Sequence, residues 1–429
     1  MALSLTGASK ILKVFYLPQM QKVFNTQTIL WDRLERGTKW NPEGKNFTLG
    51  INFGRHAQAG SGRTGSGATL PAAAEMKYEN AIVPAAYLYT RIEIEGPVIK
   101  AARSNAGSFV RAVRSQVEGA TESTKKSLNR QANGDGRDWL GFYRTGTGTA
   151  AGTMDDGGPS HGRVAGGPNP HANVFFQPGV LTLADLIDAT DNATVLDSNY
   201  SITVGAENAT DFSYAVTAGG NIDAVAATGE DYYVLAGTLG FQMTGLRAII
   251  SNVDPVLLAG GLHGLTVAAA PWWVGQVVGS YQTASLQDLR FPLLNRVISR
   301  VSQNSPNGKE DIKFILTSYR GQDAYYDLAS NERIAVNTMV LDGGFEGVEF
   351  SGIPIVADPE HSDGEFDFIV PDALKILTVG GEIMEWMEED GNMLSRVANK
   401  DSYEATLFGY VNLGTPRRNS LGALIGINV

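Results

Sequence analysis

Residues 47–96 read FTLGINFGRHAQAGSGRTGSGATLPAAAEMKYENAIVPAAYLYTRIEIEG. Phe47, Leu49, Ile51 and Phe53 alternate before the middle of this stretch; Tyr87 and Tyr89 alternate after it, with Ile92 and Ile94 on the opposite parity. Between them lies a run dominated by Gly, Ser, Ala and Thr. Period-two alternation bounded by Gly and Pro predicts paired strands. A two-stranded ribbon is at best marginally stable alone in water, and a long loop without its own core is functional or disordered. A ribbon of this length has to lie on something. The best surface for it is a neighbouring copy of the same chain, with no partner inside its own polypeptide, which points to a structural, self-assembling protein.

The rest of the composition fits that direction. At 429 residues, the chain has room for two or three domains, and its 43% hydrophobic content allows a true core. Fifty Gly imply many turns and extended loops, and the absence of Cys removes disulfides and thiolate chemistry. The opening MALSLTGASKILK has no basic segment ahead of an apolar run, so no secretory signal is expected. The longest uncharged stretch, residues 255–287, is broken by His263, Pro271, Gln276 and several Gly. A membrane helix needs about 20 mostly apolar residues, so the stretch reads as buried or subunit-facing, and no membrane partner is expected.

Charge is distributed unevenly behind the net −11. Residues 1–163 carry 21 Lys and Arg against 13 Asp and Glu; residues 164–246 carry nine acids and no Lys or Arg; residues 247–429 carry 13 against 23. A basic leading part set on the acidic later part of a neighbour would be electrostatically complementary. A solvated charged surface is the plainer alternative.

Along the chain, residues 1–45 read as an N-terminal arm and 46–96 as the extended loop. Gly96-Pro97 then opens a single long helix over 98–133, since Pro is pre-set for a first helical turn. Phe109, Val113, Val117, Ala120, Thr124, Leu128 and Gln131 form a narrow stripe that predicts a helix lying along a sheet, closed by Gly134-Asp-Gly136. Residues 137–170, rich in Gly and Thr, read as loop within a 97–170 segment. Residues 171–240 read as a small acidic β-domain. Residues 241–375 alternate helix and strand: a helix carrying Leu286, Leu289, Leu293, Leu294, Val297, Ile298 and Val301, a strand over 312–317, a helix over 322–328, and a hairpin turning at Ser351-Gly352. Residues 376–429 are strand-rich, with a hairpin signal at Asp390-Gly391.

Motifs that could carry chemistry are weak. Gly60-Ser-Gly62-Arg-Thr-Gly65 matches a dinucleotide-binding pattern, but no helix follows and the Lys-Ser/Thr of a phosphate loop is missing. The five His are scattered, so no zinc site is expected. The acidic run over 358–367 could bind a hard cation, yet it lacks the full loop pattern and reads as a solvated turn. Glu385, Glu388, Glu389 and Asp390 read as a charged turn rather than a hydrolase pair. No catalytic, metal or cofactor residues are assigned, and the chain is not expected to be an enzyme.

The order of several short motifs resembles the major capsid proteins of tailed phages with the Hong Kong 97-type fold. Leu30-Trp-Asp-Arg-Leu34-Glu-Arg-Gly is similar to the arm motif before the extended loop. Phe53-Gly-Arg55 and Gly67-Ala-Thr-Leu70-Pro71 resemble the loop's outgoing strand and tip. Glu95-Gly-Pro97-Val-Ile-Lys100-Ala and Asn133-Gly-Asp-Gly136 resemble the two ends of the spine helix. Gly245-Leu-Arg-Ala-Ile249 is similar to the start of the axial domain. Asp390-Gly391, Tyr403-Glu-Ala-Thr-Leu-Phe408 and Asn412-Leu-Gly-Thr-Pro-Arg-Arg418-Asn resemble the closing strands of the peripheral domain.

The resemblance implies an α+β capsid fold: arm 1–45, extended loop 46–96, spine helix and first peripheral part 97–170, inserted β-domain 171–240, axial domain 241–375 and peripheral return strands 376–429. It implies hexamers and pentamers of one chain in an icosahedral shell of a virion, assembled in the host cytoplasm around packaged double-stranded DNA contacted non-specifically. Scaffolding and portal proteins, with a possible decoration protein, are the implied partners. Trp31, Arg55, Arg63, Leu70, Pro71, Arg417 and Arg418 are the residues expected at inter-subunit contacts. Some members join subunits covalently through a Lys in the extended loop; none lies between Lys45 and Lys77 here, so that link is not expected. The acidic β-domain is expected on the outer face, away from packed phosphate. The alternatives are an encapsulin-like compartment shell and a nucleotide-binding enzyme using residues 60–65.

Overall fold

The computed structural model describes residues 28–34, 46–54, 75–97, 106–137, 140–146, 151–155, 181–188, 193–207, 213–218, 231–255, 258, 260–279, 287–331, 338–340, 346–379, 383–388 and 395–428. The expected ribbon exists, but its return strand differs from the sequence reading. β1 (Asn46–Gly54) pairs antiparallel with β2 (Lys77–Pro84) as a separate two-stranded sheet. β3 (Ala86–Glu95), which holds Tyr87 and Tyr89, turns away and joins another sheet. Period two specifies a pleated strand without naming its neighbour, and that is why the two were confused.

The long helix runs over Ala106–Asn133, about 42 Å at 1.5 Å per residue. Ala120, Thr124, Leu128 and Gln131 of the expected stripe are buried, while the side chains of Phe109 and Val113 lie outside the described residues. The stripe faces β3, where Ile92 packs with Ala120 and Ala405, and the Thr90 and Thr124 hydroxyls share a hydrogen bond of 2.7 Å. The helix stops where the Gly134 amide donates to the Arg130 and Gln131 carbonyls. Gly245 then passes so close that a Cβ there would sit 2.2 Å from the carbonyl oxygens of Gln131 and Gly134. Only glycine fits between the helix end and the short helix Leu246–Ile250 that follows.

Between those two helices the chain forms a closed barrel, ordered β4-β5-β8-β7-β6-β9. Its strands are β4 (Gly141–Gly146), β5 (Ala151–Asp155), β6 (Leu181–Ile187), β7 (Val195–Glu207), β8 (Ser213–Ala218) and β9 (Tyr232–Leu235). The barrel's first strand begins at Gly141, some thirty residues before position 171, where the sequence reading started its β-domain. β4 and β5 fall in the Gly/Thr-rich stretch read from sequence as loop; closure against β8 and β9 gives these short strands the partners that local composition does not reveal.

The main core belongs to a mixed seven-stranded sheet. Its strands are β10 (Gln276–Gly279), β12 (Phe314–Thr317), β13 (Thr338–Val340), β14 (Glu346–Phe350), β15 (Ile353–Ala357), β16 (Phe366–Ile369) and β21 (Gly422–Ile425), ordered β10-β21-β16-β12-β15-β14-β13. β11 (Gln287–Asp288) and β22 (Ile427–Asn428) add a small parallel pair beside it. The helix Phe291–Asn304 buries Leu294, Val297, Ile298 and Val301 against this sheet. Gly422 admits it closely, since a Cβ there would meet Val301 at 2.5 Å. Between β14 and β15, Ser351 and Gly352 both have positive φ (56° and 81°), the backbone that a two-residue hairpin turn requires.

A second sheet is organised by one 13-residue strand, β20 (Ser402–Gly414). β3 pairs along one edge of it, while β17 (Lys375–Thr378), β18 (Glu385–Trp386) and β19 (Ser395–Arg396) pair along the other. β18 and β19 flank the expected Asp390-Gly391 hairpin, which itself lies outside the described residues; both pair with β20 rather than with each other.

Candidate assembly surfaces

The ribbon root is seated on its own subunit, which corrects the expectation that the ribbon has no partner in its own chain. Phe47, Leu49, Ile51, Ala81 and Val83 point one way from the two strands and are buried in the main core. The Ile82 amide donates to the His263 carbonyl at 2.8 Å, and the Asn412 side-chain amide donates to the Pro84 carbonyl at 2.6 Å. Phe53 stacks on Trp272 with ring centroids 4.1 Å apart and planes 9° from parallel. The opposite side of β2 stays open: Tyr78 is 68% exposed and Ile82 is 46% exposed.

A second open face lies on the β3–β20 pair. Leu88, Thr90, Ile92 and Ile94 share the face towards the long helix, so Tyr87, Tyr89, Arg91 and Glu93 point away from it, and register places Tyr87 opposite Tyr410 and Tyr89 opposite Phe408. The Tyr87 and Tyr410 rings meet edge to face at 5.2 Å, and Phe408 and Tyr410 are tilted by 52° at 5.4 Å. Tyr87 and Tyr89 remain more than half exposed. Beyond the aromatic end the same face is charged: Arg91 pairs with Glu404, and the Ser402 hydroxyl donates to Glu93 at 2.6 Å, which lowers the Glu93 carboxyl. An aromatic centre with a polar margin is the anatomy of a docking surface.

The residues assigned from sequence to subunit contacts are placed unevenly. Arg55, Arg63, Leu70 and Pro71 lie outside the described residues, as does the Gly60–Gly65 pattern. Trp31 is buried in its own core, on the short helix Ile29–Arg33, and its amide donates to Asn129 Oδ1 at 3.0 Å. Arg417 is half-buried. Arg418 is fully buried and serves its own chain: Nε donates to the Ile249 carbonyl at 2.7 Å, and Nη2 donates to the Ser251 carbonyl at 2.6 Å. The aromatic face was the part that motif reading missed. Its signal was the parity switch in β3, which places Tyr87 and Tyr89 opposite to Ile92 and Ile94.

The acidic run is not the solvated turn expected from sequence. Asp358, Glu360, Asp363, Glu365 and Asp367 are all buried. Each carboxylate that pairs with a cation meets one from a distant part of the chain or the same loop: Glu365 pairs with Arg247, Asp363 with Arg320 at 2.9 Å, and Asp367 with His361 at 3.1 Å. Asp358 accepts from the Leu30 amide at 2.8 Å and from the Asn129 side chain at 3.0 Å, joining the short helix Ile29–Arg33 to the long helix. Among the described residues no group of three or more His, Asp or Glu is arranged to hold a metal, and no helix is long and apolar enough to cross a membrane.

Two buried histidines shift in opposite directions. Burial alone would lower His361, but its bond to Asp367 and the charges of Asp367, Glu365 and Asp358 raise it. Burial, with the Glu365 charge, pushes Asp367 up to about 6. Both groups bind protons more tightly when folded, so their contribution is present at low pH and is lost as pH rises through those folded values. His263 acts in the opposite sense. Burial, reinforced by the Arg418 charge, lowers it to about 3, whereas the unfolded chain titrates near 6.5. The His263 contribution is therefore lost from about pH 6.5 downwards, by about 2 kcal/mol at pH 5, while the Asp367 contribution runs the other way over the same range. His263→Asn, which tolerates the positive φ there, is expected to remove that acid-side loss while keeping the alkaline one. Urea titrations at pH 5, 6.5 and 8 check it, and equal acid-side losses in both proteins would refute it.

The fold is that of a phage major capsid protein. Aligned with the Cyanophage A-1(L) capsid subunit, the chain gives a TM-score of 0.57 at 14% identity, covering 99% of both chains. The SrpI encapsulin of Synechococcus elongatus PCC 7942 aligns at TM-score 0.47 and 10% identity, over 100% of this chain and 97% of that one. The structure titled Gordonia phage Cozz aligns at 0.46 and 9%, over 100% and 95%. No family model matches the sequence, and no curated protein matches it.

Proposed function

We propose that the chain is the major capsid protein of a tailed phage, closing into an icosahedral shell of hexamers and pentamers around packaged double-stranded DNA. One observation carries this reading: a single subunit has both a ribbon whose outward side is unused and a separate aromatic sheet face that is open. Two different patches that fit each other make a head-to-tail contact, and such contacts build rings when the rotation closes. The ribbon of one subunit lies over the Tyr87–Tyr410 face of the next. Exposed Tyr78 and Ile82 meet exposed Tyr87 and Tyr89, and obligate contacts of this kind bury about 2,000 Å² or more.

In finer detail, the long helix serves as the spine helix and the barrel as an insertion domain. The stretch from 164 to 246 has nine acids and no Lys or Arg, so packed phosphate would repel the barrel, and it sits on the outer face. Scaffolding and portal proteins complete assembly, and Arg55, Arg63, Leu70 and Pro71 reach the neighbour from the ribbon tip. Size-exclusion chromatography of the expressed chain tests the class of function. Elution in the void volume as closed particles is expected when the chain is expressed with a scaffolding protein, whereas a small oligomer under those conditions would refute a shell. Particles filled with a protein cargo instead of DNA would favour a cellular compartment.

A further inference from the structure

The ribbon leaves the subunit beside a loop whose backbone is unusually constrained. Gly261 and Gly264 have positive φ (77° and 80°), and His263 between them adopts 52° although it is not glycine. A Cβ at Gly261 would lie 2.4 Å from the Leu265 carbonyl oxygen, so the turn cannot loosen by ordinary substitution. The His263 ring is buried, its nitrogens have no hydrogen-bond partner among the described residues, and it sits 6.0 Å from the Trp273 ring. What His263 offers is its backbone: the carbonyl that accepts from Ile82 of β2.

The far side of this loop is equally fixed. Trp273 donates from Nε1 to the Pro416 carbonyl at 3.3 Å, and the Arg418 guanidinium lies over its ring at 5.7 Å. Trp272, next in the chain, presents its own ring to Phe53. The loop over residues 260–273 therefore grips both ribbon strands, β2 through a hydrogen bond and β1 through a ring stack.

We infer that this loop is a cradle that sets the angle at which the ribbon leaves the subunit, with Trp272 and His263 as positioning residues for shell curvature. Among the described residues the ribbon is two-stranded and seated by its buried face; the hydrogen bond at β2 and the flat stack near the end of β1 add two further fixed points that set its direction. The inference rests on the shell reading. In a closed shell the ribbon's direction decides where its tip meets the neighbour, so a looser cradle admits several ring geometries where a rigid one admits one.

The test uses the full chain in two states. In unassembled subunits, Trp272→Ala is expected to speed hydrogen exchange at the Ile82 amide at least tenfold while Ile315 and Leu316 in the central sheet stay unchanged. Assembled particles of this variant are expected to vary in diameter, and Trp272→Phe, which keeps a flat ring, restores a single size. Phe53→Ala removes the other half of the stack from the ribbon side and gives the same two results should Trp272→Ala fold poorly. Uniform particles of wild-type diameter from either alanine variant would overturn the inference, as would unchanged exchange at Ile82. Absence of particles from the wild-type chain would instead sink the shell reading, leaving the exchange result to decide whether the cradle holds the ribbon.

Discussion

A chain lacking residues 60–67 is expected to fold as the intact subunit does and to form no closed shells. The deletion leaves β1 and β2 whole, with Phe47, Leu49, Ile51, Ala81 and Val83 still filling the core and Asn412 still holding the Pro84 carbonyl. Folding stability should therefore match wild type in urea. Reach is what is lost: with eight fewer residues between β1 and β2, the farthest the connection can extend falls by four residues' length, about 13 Å at strand spacing. On the proposed contact, a connection shortened by that much no longer covers the neighbour. Circular dichroism and urea unfolding report the fold, and chromatography with electron micrographs reports the shells. Normal particles from the deletion would mean that the tip plays no part in closure.

Arg418→Met is expected to destabilise the isolated subunit by about 3 kcal/mol, through buried carbonyls left without a donor. Arg418 reaches the end of the helix Leu246–Ile250, where Ile249, Ala248 and Ser251 present carbonyls to its guanidinium. A cation at a helix C-terminus is also favoured by the helix dipole. Burial lowers its pKa to about 10, so it remains charged at neutral pH. It also lies against Trp273, which ties the loss to the ribbon cradle. Lys at this position keeps the charge but lacks the planar fork, so Arg418→Lys should fall between the two. Urea unfolding measures the effect. A loss below about 0.5 kcal/mol, typical of an unimportant surface site, would contradict the role.

Much of the architecture was legible because it is written in local periodicity. The alternation at Phe47, Leu49 and Ile51, the 3–4 residue stripe at Ala120, Thr124 and Leu128, and the Ser351-Gly352 turn each depend on residues close in sequence. Partners far apart in sequence were not legible. β3 looked like the ribbon's return strand because Tyr87 and Tyr89 alternate as well as any ribbon residue, and its true partner begins at Ser402, some three hundred positions later. The Gly/Thr stretch holding β4 and β5 looked like loop because barrel closure supplies its partners from positions 213 and 232 onwards.

Charged residues misled for the same reason. Glu365 and Asp363 form part of a dense acidic run, and such runs are solvated unless cations are brought to them. Arg247 and Arg320 do so only once the sheet has formed. Arg418, expected at a subunit contact, is drawn inside by carbonyls of a helix about 170 residues earlier. The open aromatic face, missed from sequence, left one trace there: Tyr87 and Tyr89 take the parity opposite to the buried Ile92 and Ile94.

The most direct measurement is a reconstruction of particles formed by the expressed chain, at a resolution that traces strands. It should show β1 and β2 of one protomer crossing Tyr87, Tyr89, Phe408 and Tyr410 of the adjoining protomer, repeated around every ring. Particles in which those four rings face solvent, or a preparation that never exceeds a few copies, would contradict it.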